Sequence, residues 1–199
     1  MTRQPDPLRK SEILDALVDY AFEHGLSDLS LRPLADALNT SPRMLLYHFG
    51  SKEQLLVETV EASRQRQYAM LERWLADETA SFDIVLRRFW VWVTSPDTRN
   101  YLRLFFEIFG LSVQERPGFE AFARTAVADP LAFFERGFLA ATHDPREAAR
   151  KTTLFVATFR GLLMDLLATG DTPRIDAAFE DLLESLLPAA ASSPALGPR

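Results

Sequence analysis

The spacing of the apolar residues constrains the fold most strongly, because they recur every three or four positions along nearly the whole chain. That spacing places apolar side chains on one face of an α-helix, whereas a half-buried β-strand needs strict alternation, which the chain lacks. From Ile175 to Leu187, apolar residues fall at i, i+3, i+4, i+7, i+8, i+11 and i+12, a wide apolar stripe. The sequence therefore predicts an all-α protein.

Capping residues, glycines and prolines divide this pattern into helices. The first three are predicted over residues 8–24, 31–38 and 42–49, and a fourth runs from the capping box Ser51-Lys52-Glu53-Gln54 to about residue 76. Two long late helices are predicted over residues 146–168 and 174–187. Further breaks are predicted near residues 77–81, 95–96, 110–117, 129–130, 143–145 and 170–173.

These segments predict a simple domain organisation. Residues 1–7 form a flexible N-terminus, 8–50 a three-helix domain, 51–187 a larger helical domain, and 188–199 a disordered tail rich in Pro, Ala and Ser.

Composition excludes several classes of protein. The 199 residues include no cysteine, which rules out a disulfide scaffold, a Cys-zinc site, an iron–sulfur cluster and a thiol nucleophile. The absence of cysteine also fits a reducing compartment. The polar N-terminus has no signal-peptide pattern, and no stretch approaches the ~20 apolar residues of a membrane span. We therefore expect a cytoplasmic protein with no membrane partner.

No arrangement of residues indicates catalysis. Gly110-Leu111-Ser112-Val113-Gln114 lacks the second glycine of a nucleophile elbow, and there is no glycine loop for a phosphate. The three histidines are scattered, and His143 precedes a turn and a helix start. We expect no catalytic residues, no metal site, no cofactor and no enzyme activity.

The second and third helices are short and joined by a tight turn over residues 39–41. Ser30 and Ser41 are suitable N-caps, and Asn39 tolerates the left-handed conformation that closes a helix. Two capped helices with such a connection form the layout of a helix–turn–helix.

The net charge of −6 gives no sign of a nucleic-acid partner, so the position of each charge matters. Arg43, near the start of the third helix, can present a bidentate fork to guanine. Tyr47 and His48 can donate to phosphate, and Lys52 begins a helix whose free N–H groups attract an anion. The predicted DNA-binding residues are Arg32, Pro42, Arg43, Met44, Tyr47, His48 and Lys52.

The run Tyr47-His48-Phe49-Gly50-Ser51-Lys52-Glu53 and the helices before it resemble the N-terminal signature of TetR-type transcriptional regulators. The resemblance covers roughly residues 8–56. It implies a homodimer that binds palindromic double-stranded operator DNA, with an effector-binding and dimerisation domain over 51–187. The function expected from it is that of a repressor released by a small, largely apolar effector.

Three positions depart from the family pattern. Asn39 stands where glycine is usual, and it tolerates the same backbone geometry. Leu46 replaces a tyrosine that commonly contacts phosphate, and Met44 replaces a polar residue. The operator sequences of other family members therefore cannot be assigned to this chain.

The larger domain is rich in aromatic residues, which suits an apolar small-molecule cavity. Arg103 and Glu107, four residues apart, either form a pair on a solvated face or orient the effector; Arg160 and Asp165 have the same ambiguity. The predicted effector-pocket residues are Trp92, Arg103, Phe105, Glu107, Phe109, Phe122, Phe134, Phe138 and Phe159.

The last two helices carry more apolar surface than one small domain can cover, and the small residues Ala157 and Gly161 allow close helix approach. The predicted dimer-interface residues are Ala157, Gly161, Phe179, Leu182, Leu183 and Leu186. Two alternatives stay open: a regulator that acts by protein interaction without binding DNA, and a small all-α enzyme that uses the aromatic cavity.

Overall fold

The computed structural model describes residues 6–25, 30–77 and 80–187 of the chain. This part is helical and contains no strand, which confirms the all-α prediction. Residues 1–5 of the predicted flexible N-terminus and the predicted disordered tail lie outside the described residues. The helices are α1 (Pro7–His24), α2 (Leu31–Ala37), α3 (Pro42–Phe49), α4 (Lys52–Leu75), α5 (Phe82–Val93), α6 (Arg99–Val113), α7 (Phe122–Thr142), α8 (Pro145–Thr169) and α9 (Thr172–Leu186).

One predicted break is wrong. The chain does not interrupt its helix at residues 129–130, because Pro130 lies inside α7. Proline has no N–H, so it cannot bond the carbonyl of Ala126, four residues earlier. The Ala126 carbonyl therefore accepts a hydrogen bond from another group, Arg160 of α8.

Local capping fixes the turn between α2 and α3. The Ser41 hydroxyl accepts from the backbone N–H of Met44 at 3.2 Å and begins α3. Asn39 has a φ of 49°, the predicted left-handed conformation, and the N–H of Thr40 donates to the carbonyl of Ala35 at 2.9 Å. These bonds hold the two helices in a fixed relation, as a helix–turn–helix requires.

The N-terminal helices pack on α4. The inward face of α1 places Leu17 against the buried side chains of the α2–α3 pair and of α4, within one continuous core. At the surface, Arg66 of α4 forms ion pairs at 2.7 Å with both Asp15 and Asp19 of α1. Helix α4 is therefore joined to the helix–turn–helix by core contacts and by charge.

The remaining helices surround a second, aromatic part of the core. Helix α5 approaches α7 closely, because the ring of Phe82 lies where a Cβ on residue 137 would stand, so any larger residue there would require the ring to move. Helix α9 closes this part of the core, since Phe179 stacks on Trp90 with ring centres 4.2 Å apart.

Helix α8 is apolar over most of its length. Its most apolar window has a mean hydropathy of 1.3, and only 28% of that window is buried inside the chain. By length and composition alone α8 is long and apolar enough to cross a membrane. The expectation that no stretch of the sequence approaches a membrane span was therefore wrong on these two criteria. The helix nevertheless contributes Phe155, Val156 and Leu163 to the core and carries the charged residues Arg160 and Asp165.

Candidate nucleic-acid interface and effector cavity

The outer face of α3 displays the side chains that the sequence assigns to DNA. Arg43 is exposed, as are Met44 (40% exposed) and Tyr47 (39% exposed). Leu45 and Phe49 are buried against the rest of the domain. Leu46, where the family often has tyrosine, is also exposed.

His48 does not belong to this outer face. Its side chain is only 6% exposed, and both ring nitrogens are buried without a hydrogen-bond partner among the described residues. Positions 45, 48 and 49 share one side of a helix because of its 3.6-residue period. The prediction that His48 faces DNA is therefore wrong for this structure.

The sequence also assigns basic residues of α2, α3 and α4 to DNA. Within the described ranges, Arg32, Arg43 and Lys52 make no salt bridge. By contrast, Arg9 pairs with Glu12 at 2.8 Å and Lys10 pairs with Glu58 at 2.7 Å. Acidic residues of α1 and α4 thus pair with other basic residues, and three cations remain without an acidic partner in the described ranges although the whole chain is acidic.

Two of these cations stand at helix starts. Lys52 is the first residue of α4, and the Ser51 hydroxyl caps that helix by accepting from the N–H of Gln54 at 3.0 Å. Arg32 is the second residue of α2. The free N–H groups and the dipole at a helix start favour anions, so a phosphate near Lys52 would meet both an ammonium and the helix dipole.

The larger domain encloses a cavity of about 90 Å³ between α4, α5, α6, α7 and α8. Three residues of the predicted effector pocket line it: Phe105, Phe134 and Phe159. Phe89 and Phe155 complete an aromatic wall, in which the ring centres of Phe89 and Phe159 are 5.5 Å apart.

Six predicted pocket residues do not line this cavity. Phe122 and Phe138 are fully buried core residues. Trp92 lines an outer groove, and the Phe109 ring lies 4.8 Å from the guanidinium of Arg160. Arg103 and Glu107 are exposed, so the solvated-face interpretation of these two fits the structure and the effector-orienting one does not. Helical spacing identifies the apolar faces, but not which of them leaves a gap.

The polar end of the cavity is built around Pro130. Arg160 of α8 donates through Nη2 to the carbonyl of Ala126 at 2.9 Å, which replaces the intrahelical bond that Pro130 cannot make. One residue earlier, the carbonyl of Thr125 accepts from Nη2 of Arg64 at 3.0 Å. The same Arg64 nitrogen pairs with Asp129 at 2.8 Å.

Burial changes the acid–base behaviour of this end. It lowers the pKa of Arg160, and the neighbouring Arg64 cation lowers that pKa further. Burial also raises the pKa of Tyr68, which stays a neutral hydroxyl. Glu61 has a raised pKa because of burial, an effect that Arg64 partly offsets.

Most of the polar lining was not among the predicted residues, namely Arg64, Gln67 and Tyr68 of α4 and Tyr101 of α6. A signal was present, since Arg64 is a charged residue among buried positions of α4. It was weak, because a long polar helix offers several such positions.

The predicted dimer-interface residues separate into two groups. Phe179, Leu183 and Leu186 are buried within the chain's own core, and Leu182 is half-buried. Assigning the first three to an exposed interface was wrong, because the apolar stripe of α9 covers α5 and α8. Ala157 and Gly161 are exposed on α8, and their assignment to a dimer interface stays a prediction.

Comparison with known proteins agrees with this arrangement. Residues 13–59, from α1 into α4, match the family model described as bacterial regulatory proteins, tetR family. This N-terminal part of the chain is similar to the DNA-binding region of that family. The match ends close to the start of α4, so the similarity is carried by the helix–turn–helix and not by the cavity.

One curated relative is similar to the N-terminal part of the chain, and solved structures are similar to the whole fold. The HTH-type transcriptional regulator BetI of Agrobacterium fabrum is 32% identical over 57 residues, which span 29% of this chain and only 28% of BetI. A TetR transcriptional regulator from Legionella pneumophila superposes with a TM-score of 0.71 at 16% identity, over 93% of this chain and 99% of that one. The multidrug binding protein EbrR, solved with imidazole, gives a TM-score of 0.63 at 26% identity, with 96% of each chain covered.

Proposed function

We propose that this chain is a TetR-type, ligand-responsive transcriptional regulator that binds operator DNA through α3 as a homodimer. The observation that carries the proposal is the outer face of α3, where Arg43, Met44 and Tyr47 are exposed. A helix with this face fits the major groove, and its N-terminal residues meet base edges. Arg43 reads a base, while Arg32 and Lys52 contact phosphates.

An apolar face of α8 supports the homodimer. Leu154 is 56% exposed and Met164 is 54% exposed, with Ala157 and Gly161 between them. A Cβ added to Gly161 would meet no atom within 4 Å, so no described residue covers this position. Two such faces packed about a two-fold axis would be covered. The two α3 helices would then lie about 34–36 Å apart, one turn of DNA.

The regulatory ligand belongs in the cavity of the larger domain. Its mostly aromatic walls and few polar groups are typical of small-molecule sites, and EbrR, which shares the fold, is named for multidrug binding. We propose that the ligand releases the protein from its operator, so that the protein acts as a repressor in the cytoplasm. Catalysis forms no part of this proposal.

Selection of an operator from random duplexes, followed by fluorescence anisotropy at several salt concentrations, tests the function. We expect a palindromic site and an affinity that falls steeply with salt, because phosphate contacts release counterions. A dimeric protein that binds every duplex weakly and equally would contradict the proposal. That outcome would favour a regulator that acts through protein partners.

A further inference from the structure

The cavity contains one positive charge that no carboxylate of the described residues balances. Of its two arginines, Arg64 is paired with Asp129 at 2.8 Å. Within the described ranges, Arg160 makes a single hydrogen bond, to the Ala126 carbonyl, and no carboxylate lies within salt-bridge distance of it. A guanidinium has five N–H donors and keeps its charge, so most of the donors of Arg160 are unused. The ring of Phe109, 4.8 Å from the guanidinium, offers a cation–π contact but no counter-charge. A half-buried charge without a counter-ion is costly, which favours an anion beside it.

A second unmet donor lines the same cavity. Nε2 of Gln67 is buried and makes no well-aligned hydrogen bond in the described part of the chain, where the phenol oxygen of Tyr101 is its neighbouring acceptor. Gln67 and Arg160 come from different helices, α4 and α8, so these are independent observations. Both groups are donors, and acceptor atoms of a ligand in the cavity could take further hydrogen bonds from each.

The rest of the cavity limits what can carry those acceptors. Its walls include the rings of Phe89, Phe105, Phe134 and Phe159, which favour an apolar body. The volume of about 90 Å³ is several times the roughly 10–15 Å³ that one water requires. The space suits one ring or a short chain rather than a large amphiphile.

We infer that the effector is a small carboxylate with a compact apolar body, whose anionic group binds Arg160 while its body lies among the phenylalanine rings. The inference rests on the proposed function and names the ligand class of that cavity. A carboxylate can accept two parallel bonds from a guanidinium, the strongest polar contact this cavity offers. Its charge also attracts Arg64, so binding would draw α4, α7 and α8 toward one point.

Calorimetric titration of the full-length protein without DNA tests the ligand class. The probes are benzoate and hexanoate, each paired with its neutral amide, benzamide or hexanamide. We expect each acid to bind about tenfold or more tightly than its amide, as hydrogen bonds to a charged group imply. Arg160→Gln should abolish this preference, and Arg160→Lys, which keeps the charge, should retain part of it.

Arg103→Gln is the matched control, because it removes an exposed arginine outside the cavity; it should retain the full preference. Thermal unfolding of each variant by circular dichroism establishes that it is folded. Amides that bind as tightly as the acids, a preference that survives in folded Arg160→Gln, or no binding by any of the four probes would each overturn the inference.

Operator binding separates this inference from the proposed function. Operator affinity measured without any probe tests DNA binding alone, whatever the ligand is. If benzoate binds through Arg160 and leaves operator affinity unchanged, the ligand class is supported and the regulatory part of the proposed function fails. If the wild-type operator complex weakens with benzoate and the Arg160→Gln complex does not, both are supported.

Discussion

Arg43 carries the proposed sequence specificity, because it is the exposed cation at the start of the recognition helix. We expect Arg43→Ala to cost about 1–3 kcal/mol of specific binding and to relax the preference at one operator position. Anisotropy titration against the selected operator and its single-base variants measures both effects. Arg88→Ala removes an exposed arginine from α5 and is the control. An Arg43→Ala protein with unchanged operator affinity would show that α3 does not lie in the groove as proposed.

Lys52 should behave differently, since we assign it to a phosphate rather than to a base. Lys52→Ala is expected to weaken binding to all sequences about equally and to reduce the salt slope by about one. The same titrations at several salt concentrations provide this measurement. A loss confined to the selected operator would contradict the phosphate assignment.

At the residue scale, the sequence predicted the exposed and buried positions of α3 with one exception. Helical period already groups His48 with Leu45 and Phe49, but a polar residue beside Tyr47 in a basic segment favoured an outward position. The structure buries the imidazole instead. Periodicity should have outweighed residue type at this position.

At the element scale, α8 and α9 have distinct roles, and the roles predict different mutant phenotypes. Met164→Glu places a charge on the exposed face of α8, so it should split the dimer and leave the subunit folded. Phe179→Glu places a charge against Trp90 in the core, so it should unfold the subunit. Light scattering at micromolar concentration and circular dichroism distinguish the two results. A Met164→Glu protein that stays dimeric would exclude this face of α8 as the interface.

The contact between α8 and α9 should depend on pH. Arg174 donates to Asp165 at 2.8 Å, and these hydrogen bonds lower the pKa of Asp165. Because the folded-state pKa lies below the unfolded value, the stabilisation is present above the unfolded pKa and is lost as pH falls through the folded one. Asp165→Asn should therefore lose less stability on acidification than wild type, as urea unfolding at a series of pH values would measure. Parallel curves for the two proteins would contradict the assignment.

Element boundaries were predictable where local signals determine them, and less so where distant groups intervene. The caps at Ser41 and Ser51 are local, and the structure contains both. Pro130 predicted a break because proline removes a hydrogen bond from the helix. Helix α7 continues nevertheless, because Arg160 of α8 donates a hydrogen bond to the carbonyl that Pro130 leaves without a donor. A contact between residues 34 positions apart leaves no mark in the local sequence.

At the scale of the whole molecule, α6 connects the cavity to the DNA-binding domain. Tyr101 lines the cavity and stacks on Phe22 of α1, with ring centres 5.0 Å apart. The neighbouring Asn100 donates from Nδ2 to the carbonyls of Phe22 and Glu23 at the end of α1, at 3.3 and 3.0 Å. Movement of α6 around a ligand would therefore be transmitted directly to α1.

The sequence indicates α4 as the connection between the domains, since it starts at Lys52 and runs into the aromatic region. The structure retains that connection and adds α6, which sequence analysis did not identify. The reason is physical: the bonds from Asn100 join residues 77 and 78 positions apart, and an asparagine near a helix start is first interpreted as a local cap.

Asn100→Ala tests whether this connection transmits the effect of the ligand. In wild type, benzoate and operator should weaken each other's binding by the same factor, since coupling is reciprocal, with a typical size of about 1–3 kcal/mol. Removing the amide breaks the bonds to α1 without touching the cavity wall or α3. We therefore expect Asn100→Ala to bind benzoate alone and operator alone nearly as wild type does, with a smaller coupling between them.

The measurement is a four-state cycle: operator affinity with and without benzoate, and benzoate affinity with and without operator. Arg103→Ala, on an exposed position of α6, is the matched control and should preserve the wild-type coupling. Full coupling in Asn100→Ala would leave α4 as the transmitting element. Loss of coupling accompanied by loss of benzoate binding would mean that Asn100 supports the cavity rather than the connection to α1.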